Sequence, residues 1–188
     1  MAKIHLYSMS TGVYETAGKC LPVSYGMVDT PQGRAFIAES CGRILYFALH
    51  ENEKEQLKDF QRRWHLSKPT HRPEHCQRLA DNIFSDTDSS PARLLVLGSD
   101  FQIKVWEAVA RTAAGEVTTY EKIAEEIDQP DALSDVVNAI GDNPIAYFIP
   151  CHRIILTDGS LGSYRWGQES KRELLQAEGL DLDQLSVA

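Results

Sequence analysis

Long apolar runs are absent from this sequence, and so is any excess of positive charge. No stretch approaches the roughly 20 apolar residues that a membrane-spanning helix requires, and the first residues show no secretory signal pattern. We therefore expect a cytoplasmic protein without membrane contact. The formal charge of −8 argues against a generally basic nucleic-acid binder, because phosphate contacts supply most non-specific affinity. Any contact with DNA must come from a local surface.

Cysteine is also scarce, and the four cysteines are widely spaced. Cys20, Cys41, Cys76 and Cys151 show neither the paired spacing of a zinc site nor the framework of a small secreted disulfide protein. We expect reduced thiols, no bound metal and no cofactor. The chain has no internal repeat, and its 188 residues, 43% of them hydrophobic, indicate a globular protein with one large or two small domains.

A polar cluster at residues 85–91 predicts a linker between two domains. We place the first domain at residues 1–90 and the second at residues 98–188. In the first domain, residues 23–49 alternate between apolar and turn-forming residues, which predicts strands joined by hairpins. Helices are expected at residues 52–64 and 73–84. The predicted class is α+β, with a small amino-terminal α/β domain that contains antiparallel strands.

The second domain begins with two helix starts. Ser99 opens a capping-box pattern for a helix that ends near Gly115. Thr118 opens the same pattern for a short second helix. Tyr120 is then expected at the start of that helix.

A third helix follows a break at residues 128–130, and Asp131 is its expected N-cap. Two short helices across a tight turn predict a helix-turn-helix. The apolar stripe of the third helix consists of Leu133, Val136, Val137 and Ile140. The polar residues expected to face away from that stripe are Asp131, Ser134, Asp135, Asn138 and Asp142. A last helix is expected at residues 169–178, ended by Gly179 as a glycine cap.

A thiol stands directly before an imidazole at Cys151 and His152. Pro150 fixes its own backbone angle and favours an extended residue before it, so the cysteine leaves the turn in a defined direction. The apolar run at residues 145–149 predicts a buried segment that holds the thiol. A thiol reacts as the thiolate, and an imidazole within reach can remove its proton directly or through one water. Cys151 is therefore a candidate nucleophile.

Glu178 is the candidate carboxylate that orients His152. It follows two leucines by three and four residues, on the apolar side of the last helix, where a carboxylate needs a partner. A second interpretation stays open, in which Cys151 is a core thiol, His152 a surface residue and Glu178 a solvated helix end. Tyr120 has a similar alternative, because a tyrosine at a helix start is often a half-buried core residue with a wet hydroxyl.

Residues 149–154, Ile-Pro-Cys-His-Arg-Ile, resemble the acceptor-site motif of the 6-O-alkylguanine-DNA alkyltransferases, also called methylated-DNA–protein-cysteine methyltransferases. Other segments between residues 98 and 179 resemble the family in the family's order. They are residues 101–106, 115–120, 143–144, 162–167 and 174–179. A weaker similarity at residues 29–34 implies that the family's amino-terminal, ribonuclease-H-like domain is present as well.

The resemblance implies direct DNA repair without a cofactor. The lesion base flips out of the duplex, and Cys151 irreversibly takes the alkyl group of O6-alkylguanine and also of O4-alkylthymine. By family analogy, His152 deprotonates Cys151 through a water, and Glu178 steadies His152. Tyr120 would donate a proton to the guanine, which leaves as an anion, and Asn143 would brace the acceptor segment.

The resemblance also implies a winged-helix-like second domain that binds double-stranded DNA containing alkylated guanine, with no obligate protein partner. The residues expected to contact DNA or the flipped base are Ser134, Asn138, Arg153, Tyr164 and Arg165. Some relatives carry a structural zinc in the first domain. Only Cys41 lies near a family ligand position, so no zinc is expected here.

Ser134 departs from the family pattern, in which an arginine at this position enters the minor groove. A serine cannot fill the gap that a flipped base leaves. Asp131, Asp135 and Asp142 add negative charge to the same face, which opposes binding to phosphates. We expect weak duplex binding unless other basic residues compensate; the candidates are Lys104, Arg111, Lys122, Arg153 and Arg165. An ordinary solvated helix face is the alternative interpretation.

Two other functions remain open from the sequence. A catalytically impaired lesion-binding or regulatory homologue would keep the fold without transfer, although sensor-like relatives replace the acceptor cysteine and this chain keeps Cys151. A thiol hydrolase could use Cys151, His152 and Glu178 to cleave a small ester or amide. Turnover beyond one equivalent would favour the hydrolase, whereas a single alkyl group on Cys151 would favour repair.

Overall fold

The computed structural model describes residues 3–50, 52–85 and 90–182. Contacts within the chain divide it into two compact units. The first unit runs to Ser99 and includes the short segment Pro144–Ala146, whereas the second comprises Asp100–Asn143 and continues from Tyr147. Residues 86–89, the centre of the predicted linker, lie outside the described residues. No helix in the described ranges is long and apolar enough to cross a bilayer.

The first unit is built on a mixed six-stranded sheet. Its strands are β1 (Ile4–Ser10), β2 (Pro22–Thr30), β3 (Gly33–Ser40), β4 (Arg43–Ala48), β5 (Lys68–His71) and β6 (Ala92–Gly98). Its helices are α1 (Thr11–Ala17), α2 (Glu53–Arg63) and α3 (Pro73–Ile83), with a short 3-10 helix at Gly18–Cys20. The spatial strand order is β1-β6-β4-β3-β2-β5.

The centre of this sheet is the antiparallel set β2, β3 and β4, joined by hairpins as the alternating pattern predicts. The turn between β3 and β4 depends on Cys41 and Gly42, which both have positive φ angles of 50° and 73°. Two successive positive φ angles match the hairpin turn that follows the twist of the strands. The Gly42 amide also donates to the Glu39 carboxylate at 2.9 Å, which closes the turn.

The outer strands of the sheet pair in a way that the alternating pattern did not predict. β1 pairs with β6, β6 with β4 and β5 with β2, and all three pairings are parallel. Parallel partners lie far apart in sequence and leave no hairpin pattern, so the alternating signal could not identify them. Segment Pro144–Ala146 joins the same sheet, because the Phe47 amide donates to Pro144 O at 3.0 Å and the Ala146 amide donates to Phe47 O at 2.8 Å.

Aromatic side chains form much of the core of this unit. Tyr14, Phe36, Tyr46, Phe60 and Trp64 are almost wholly buried. Each large apolar side chain stabilises the folded state by roughly 1.5–3 kcal/mol relative to an exposed position. The Tyr46 hydroxyl donates to the buried Asp59 carboxylate at 2.7 Å, so this polar group also has a partner.

The second unit is mainly helical. Its helices are α4 (Asp100–Arg111), α5 (Tyr120–Glu126), α6 (Leu133–Gly141) and α7 (Gln168–Ala177), and short 3-10 helices lie at Pro130–Ala132 and Cys151–Arg153. Its two short strands, β7 (Thr118–Thr119) and β8 (Ile154–Ile155), pair in parallel. Helix α4 is tied to α6 by the indole of Trp106, which donates to Ala139 O at 2.8 Å.

Two predicted caps and one predicted core residue need correction. Thr119, one residue later than expected, caps α5 by accepting from the Lys122 amide at 3.3 Å. Asp131 does not cap α6, because it lies within the preceding 3-10 helix and Ala132 occupies the N-cap position without a side-chain bond. Val137 is 42% exposed, so it is not part of the buried stripe of α6.

Helix α7 ends as its sequence predicts. Gly179 adopts a φ of 88°, and its amide donates to Gln176 O at 2.9 Å while the Leu180 amide donates to Leu175 O at 3.1 Å. This pair of bonds is the usual glycine cap, in which the left-handed residue satisfies the last free carbonyls. The cap fixes Glu178 as the last residue before the turn, and so fixes where its carboxylate can reach.

Candidate active site around Cys151

Cys151 lies at the start of the 3-10 helix that leads into β8. The preceding Pro150 has φ −81° and ψ 60°, and the Cys151 amide donates to Ile149 O at 2.8 Å across it. The Arg153 amide then donates to Pro150 O at 2.9 Å. These bonds hold the turn that the Pro-Cys-His sequence predicts, and they leave the cysteine with a fixed side-chain direction.

Cys151 is only 6% exposed, and its sulfur is bound by a side-chain amide. Asn143, which directly follows α6, donates from Nδ2 to Cys151 Sγ at 3.0 Å and to Ile149 O at 2.8 Å. Burial raises the pKa of the Cys151 thiol to about 11, and the Asn143 hydrogen bond and the Lys171 charge offset only part of that effect. At neutral pH the resting group is a thiol, so attack by its sulfur requires a base.

His152 is fully buried, which rules out the interpretation of this residue as a surface side chain. Its Nε2 lies 3.0 Å from Oε1 of Glu178. An ionised carboxylate can only accept, so Nε2 carries the proton and Nδ1 is the basic nitrogen. Nδ1 is buried and has no hydrogen-bond partner among the described residues. Burial lowers the pKa of His152 despite the nearby carboxylate, so the ring is neutral at pH 7 and can accept a proton.

Glu178 is the anionic centre of a small buried network. It accepts from Arg153 in a two-point arrangement, Nε to Oε2 at 2.9 Å and Nη2 to Oε1 at 2.7 Å, and from the Gly115 amide at 3.3 Å. Burial alone would raise the pKa of Glu178, but the hydrogen bonds and charges of His152 and Arg153 outweigh it and lower the pKa to about 2. The carboxylate therefore stays charged and fixes the orientation of the imidazole.

Arg153 does not fit its expected role as a DNA contact. Its side chain is 2% exposed, and its guanidinium binds Glu178 and the backbone oxygen of Thr112. A buried guanidinium with these partners cannot reach a phosphate without breaking the network. The family resemblance implied a DNA contact for Arg153. The Glu178 carboxylate, directly after α7, binds the Arg153 guanidinium instead.

Cys151 opens onto a cavity of about 210 Å³. Pockets for drug-sized ligands usually measure roughly 300–1,000 Å³, so this one suits a single ring system rather than an extended ligand. The cavity lies wholly within the second unit. The residues that line it are Tyr120, Val137, Ile140, Gly141, Cys151, Ser163, Tyr164 and Arg165.

Two tyrosine hydroxyls are associated with this cavity. Burial raises the pKa of Tyr120, and a negative charge on Cys151 would raise it further, so this phenol remains a proton donor when the thiolate forms. Burial also raises the pKa of Tyr164 far above its usual value. The Tyr164 hydroxyl is buried without a partner among the described residues, whereas its ring packs edge-on against Trp166 with centroids 5.2 Å apart.

The remaining predicted DNA contacts lie outside the cavity or at its edge. Ser134, Asp135 and Asn138 are exposed on α6, and the exposed Asp131 and Asp142 lie just before and just after this helix. Arg165 lines the cavity and is exposed, with its guanidinium 5.8 Å from the ring centre of Trp166. Among the other basic candidates, Arg111 pairs with Glu126 at 2.7 Å.

Lys171 is the functional candidate that the sequence analysis missed. Its side chain is fully buried and its charge acts on Cys151. The signal was present, because Lys171 precedes Leu174 and Leu175 by three and four residues and so lies on the apolar face of α7. Within the described residues, no group of three or more His, Cys, Asp or Glu side chains is arranged to hold a metal ion.

A family model described as 6-O-methylguanine DNA methyltransferase, DNA binding domain, matches residues 100–180. Among named relatives, the chain is 28% identical over 174 residues to the bifunctional transcriptional activator/DNA repair enzyme Ada of Escherichia coli, a match that covers 90% of this chain and 49% of Ada. It is 26% identical over 175 residues to a methylated-DNA–protein-cysteine methyltransferase of Candida glabrata, covering 82% and 84% of the two chains. The chain thus spans about half the length of Ada.

Solved structures of O6-methylguanine methyltransferases are also similar to this chain. The crystal structure of Mycobacterium tuberculosis OGT in complex with DNA matches with a TM-score of 0.65 and 29% identity, covering 88% of this chain and 96% of that one. The mixed α/β arrangement described above is therefore a known one. The family model over residues 100–180, the relatives and this structure all make the chain similar to the O6-alkylguanine-DNA alkyltransferases.

Proposed function

We propose that this protein repairs alkylated DNA in a single turnover, by transferring the alkyl group of O6-alkylguanine irreversibly to Cys151. The observation that carries the proposal is the position of the Cys151 sulfur. It lines a cavity of about 210 Å³, it is bound by Asn143, and the next residue is a buried His152 oriented by Glu178. The names of the relatives, which are methyltransferases that use a protein cysteine, support the same chemistry.

The transfer is a direct displacement. The thiolate sulfur of Cys151 forms a bond to the alkyl carbon, the bond between that carbon and guanine O6 breaks, and the electron pair stays with guanine. Guanine then takes up one proton. The product is a neutral thioether that cannot be hydrolysed back to the thiol under mild conditions, so each protein molecule acts once.

The neighbouring side chains supply the proton movements. His152, neutral and with a basic Nδ1, accepts the thiol proton through a water. Glu178 keeps Nε2 protonated and so keeps Nδ1 available. Tyr120, which lines the cavity and remains protonated, donates to the departing guanine, while the two bonds of Asn143 hold the sulfur and the acceptor turn together.

The substrate is a nucleotide flipped out of double-stranded DNA. A cavity of this size on the second unit can take one base but not a duplex, so the damaged base must leave the stack. We propose that O4-alkylthymine is a second substrate and that the partly exposed Tyr164 and Arg165 contact the flipped base. The second unit would then be the winged-helix-like, helix-turn-helix DNA-binding domain, and the first unit the ribonuclease-H-like domain. The protein would act in the cytoplasm.

Duplex binding should be weak. The exposed surface at α6 carries Ser134 and Asn138, with Asp135 on the helix and Asp131 and Asp142 at its two ends. The sequence offers no arginine there to fill the gap in the duplex. Like charges at an interface with DNA oppose association and reduce its rate. The weak interaction would limit the rate of repair at low protein concentration without changing the chemistry at Cys151.

Single-turnover kinetics with a duplex that carries one O6-methylguanine test this function. We expect a burst of repaired guanine that stops at one equivalent of protein, at a rate that rises with protein concentration. Continued turnover of a small ester or amide at Cys151 would instead identify a thiol hydrolase. Binding of the lesion duplex with no repair at any concentration would identify a lesion-binding homologue. The matched control is Cys76→Ala, which removes a buried thiol of the first unit and should leave the burst unchanged.

A further inference from the structure

Lys171 is a buried cation that has no carboxylate partner among the described residues. Its side chain is 0% exposed, and Nζ donates to the backbone oxygens of Ile154, at 2.6 Å, and of Leu161. Both acceptors are neutral. Within the described ranges no ion pair to Lys171 is present. An ammonium group removed from water costs several kcal/mol unless an anion compensates, so the fold retains an expensive charge at this position.

The charge that faces Lys171 belongs to Cys151. Ionised Cys151 raises the pKa of Lys171, and the Lys171 charge in turn lowers the pKa of Cys151. Burial opposes both effects and lowers the pKa of Lys171 to about 8. The two groups are linked through the chain as well, because Ile154, whose carbonyl holds the ammonium, follows Cys151 by three residues.

Other charged groups near the acceptor do not take this role. Arg153 is committed to Glu178 in the network described above, and that carboxylate lies one residue past the end of α7, roughly 10 Å along the helix axis from Lys171. Arg165 also lowers the pKa of Cys151, but it is the weakest of the causes and it is exposed to solvent. Water screens an exposed charge strongly, whereas a buried ammonium keeps most of its effect.

His152, Tyr120 and Tyr164, the other titratable groups near Cys151, are all kept uncharged. The Lys171 charge contributes to lowering the pKa of His152, which keeps the imidazole neutral. Negative charge on Cys151 raises the pKa of both Tyr120 and Tyr164, so neither phenol competes as an anion. The thiolate is therefore the anion that this set of groups favours beside the ammonium.

We propose that Lys171 is a positioning residue whose buried ammonium, held by two backbone carbonyls, is the fixed counter-charge of the Cys151 thiolate. This inference rests on the proposed function, because a counter-charge matters only if the thiolate forms. Lys171 gives up no proton in the transfer. Once the sulfur becomes a neutral thioether, the ammonium no longer has an anionic partner within the part of the chain that the structure describes.

The pH profile of Cys151 reactivity tests the proposal without any alkylated DNA. Iodoacetamide modification would be followed on the Cys151 peptide by mass spectrometry between pH 7 and 10, for the wild type and for Lys171→Met. The pKa of Lys171 is about 8, so its charge acts mainly below that pH. We expect the rate at pH 7 to fall about tenfold in Lys171→Met and the two profiles to converge above pH 8. Lys171→Arg, which keeps the charge, should restore most of the rate.

The control is Arg172→Met, which removes a solvent-facing positive charge from the adjacent position of α7. Its profile should superimpose on that of the wild type. A folded Lys171→Met protein, as judged by circular dichroism, whose profile also superimposes would overturn the proposal. A general loss of structure would expose the sulfur and remove the burial that raises its pKa to about 11, so the rate would rise instead of falling. The profile therefore separates an electrostatic role from a structural one.

The experiment uses no alkylguanine. Failure of DNA repair with a Lys171-dependent Cys151 profile would therefore reject the proposed function alone. Repair with a profile that Lys171→Met leaves unchanged would reject only the role of Lys171.

Discussion

Replacing Glu178 by glutamine perturbs the charge network behind the acceptor cysteine with little change in shape. The carboxylate accepts from His152, from Arg153 at two points and from the Gly115 amide. Glutamine has one oxygen acceptor and no charge, so the Arg153 guanidinium would remain buried without its anion. Removing one partner of a buried ion pair costs about 3–5 kcal/mol. Because Glu178 keeps 12% of its side chain exposed, the lower end of that range applies.

The lowered pKa of Glu178 gives a second value, of the same size, for its contribution to the free energy of unfolding. It lies at about 2 in the folded protein, against an ordinary value of 4.5. Since one pKa unit corresponds to about 1.4 kcal/mol, ionised Glu178 stabilises the folded state by roughly 3 kcal/mol. A lowered folded-state pKa means that this stability is present above pH 4.5 and is lost as the pH falls towards 2. Burial of His152 lowers its pKa too, so some stability is already lost below pH 6.5.

Urea unfolding, followed by circular dichroism from pH 7 to pH 2.5, measures these effects. We expect Glu178→Gln to be about 3 kcal/mol less stable than the wild type at pH 7, and the two curves to converge below pH 4.5 as the wild-type carboxylate becomes protonated. Glu169→Gln, in the exposed first turn of the same helix, is the matched control and should follow the wild type. Curves for wild type and Glu178→Gln that run parallel over the whole range would refute the reasoning.

Three further changes test other parts of the molecule. Tyr120→Phe should slow single-turnover repair about 100-fold or more with little change in stability, since a general acid is lost; an unchanged rate would exclude proton donation by this phenol. Ser134→Arg should bind duplex DNA more tightly, and with a steeper salt dependence, than the uncharged Ser134→Gln. Equal affinities of the two variants in a low-salt titration would argue against α6 as the contact with the duplex. Gly26→Ala should destabilise the protein by roughly 1–3 kcal/mol in urea unfolding, because the new Cβ would lie 2.6 Å from Pro73 Cα. Gly12→Ala is the control and should cause no such loss, because its Cβ would meet nothing within 4 Å. Equal stabilities of the two variants would contradict the packing of α3 on β2.

Local patterns in the sequence predicted the elements that depend on local physics. The alternation in residues 23–49 identified β2, β3 and β4, a capping-box pattern located α4, and a glycine cap located the end of α7. The parallel pairings of β1, β5 and β6 escaped because each joins segments distant in sequence. No periodicity inside a strand reports which distant strand will lie beside it.

The same distinction holds at the site. The Pro-Cys-His order pointed to Cys151, and the apolar position of Glu178 pointed to a buried carboxylate that needs a partner. The sequence could not show that Arg153 would take most of that carboxylate, because the competition between a phosphate and Glu178 depends on burial. Lys171 was overlooked for the opposite reason, since a lysine in an amphipathic helix usually extends to solvent.

Modification of Cys151 itself is the most direct test of the function. After incubation of the protein with a duplex that carries O6-methylguanine, peptide mass spectrometry should find one methyl group on the peptide that contains Cys151, and Cys151→Ala should stay unmodified. An unmodified Cys151 after long incubation at high protein concentration would contradict alkyl transfer to this sulfur.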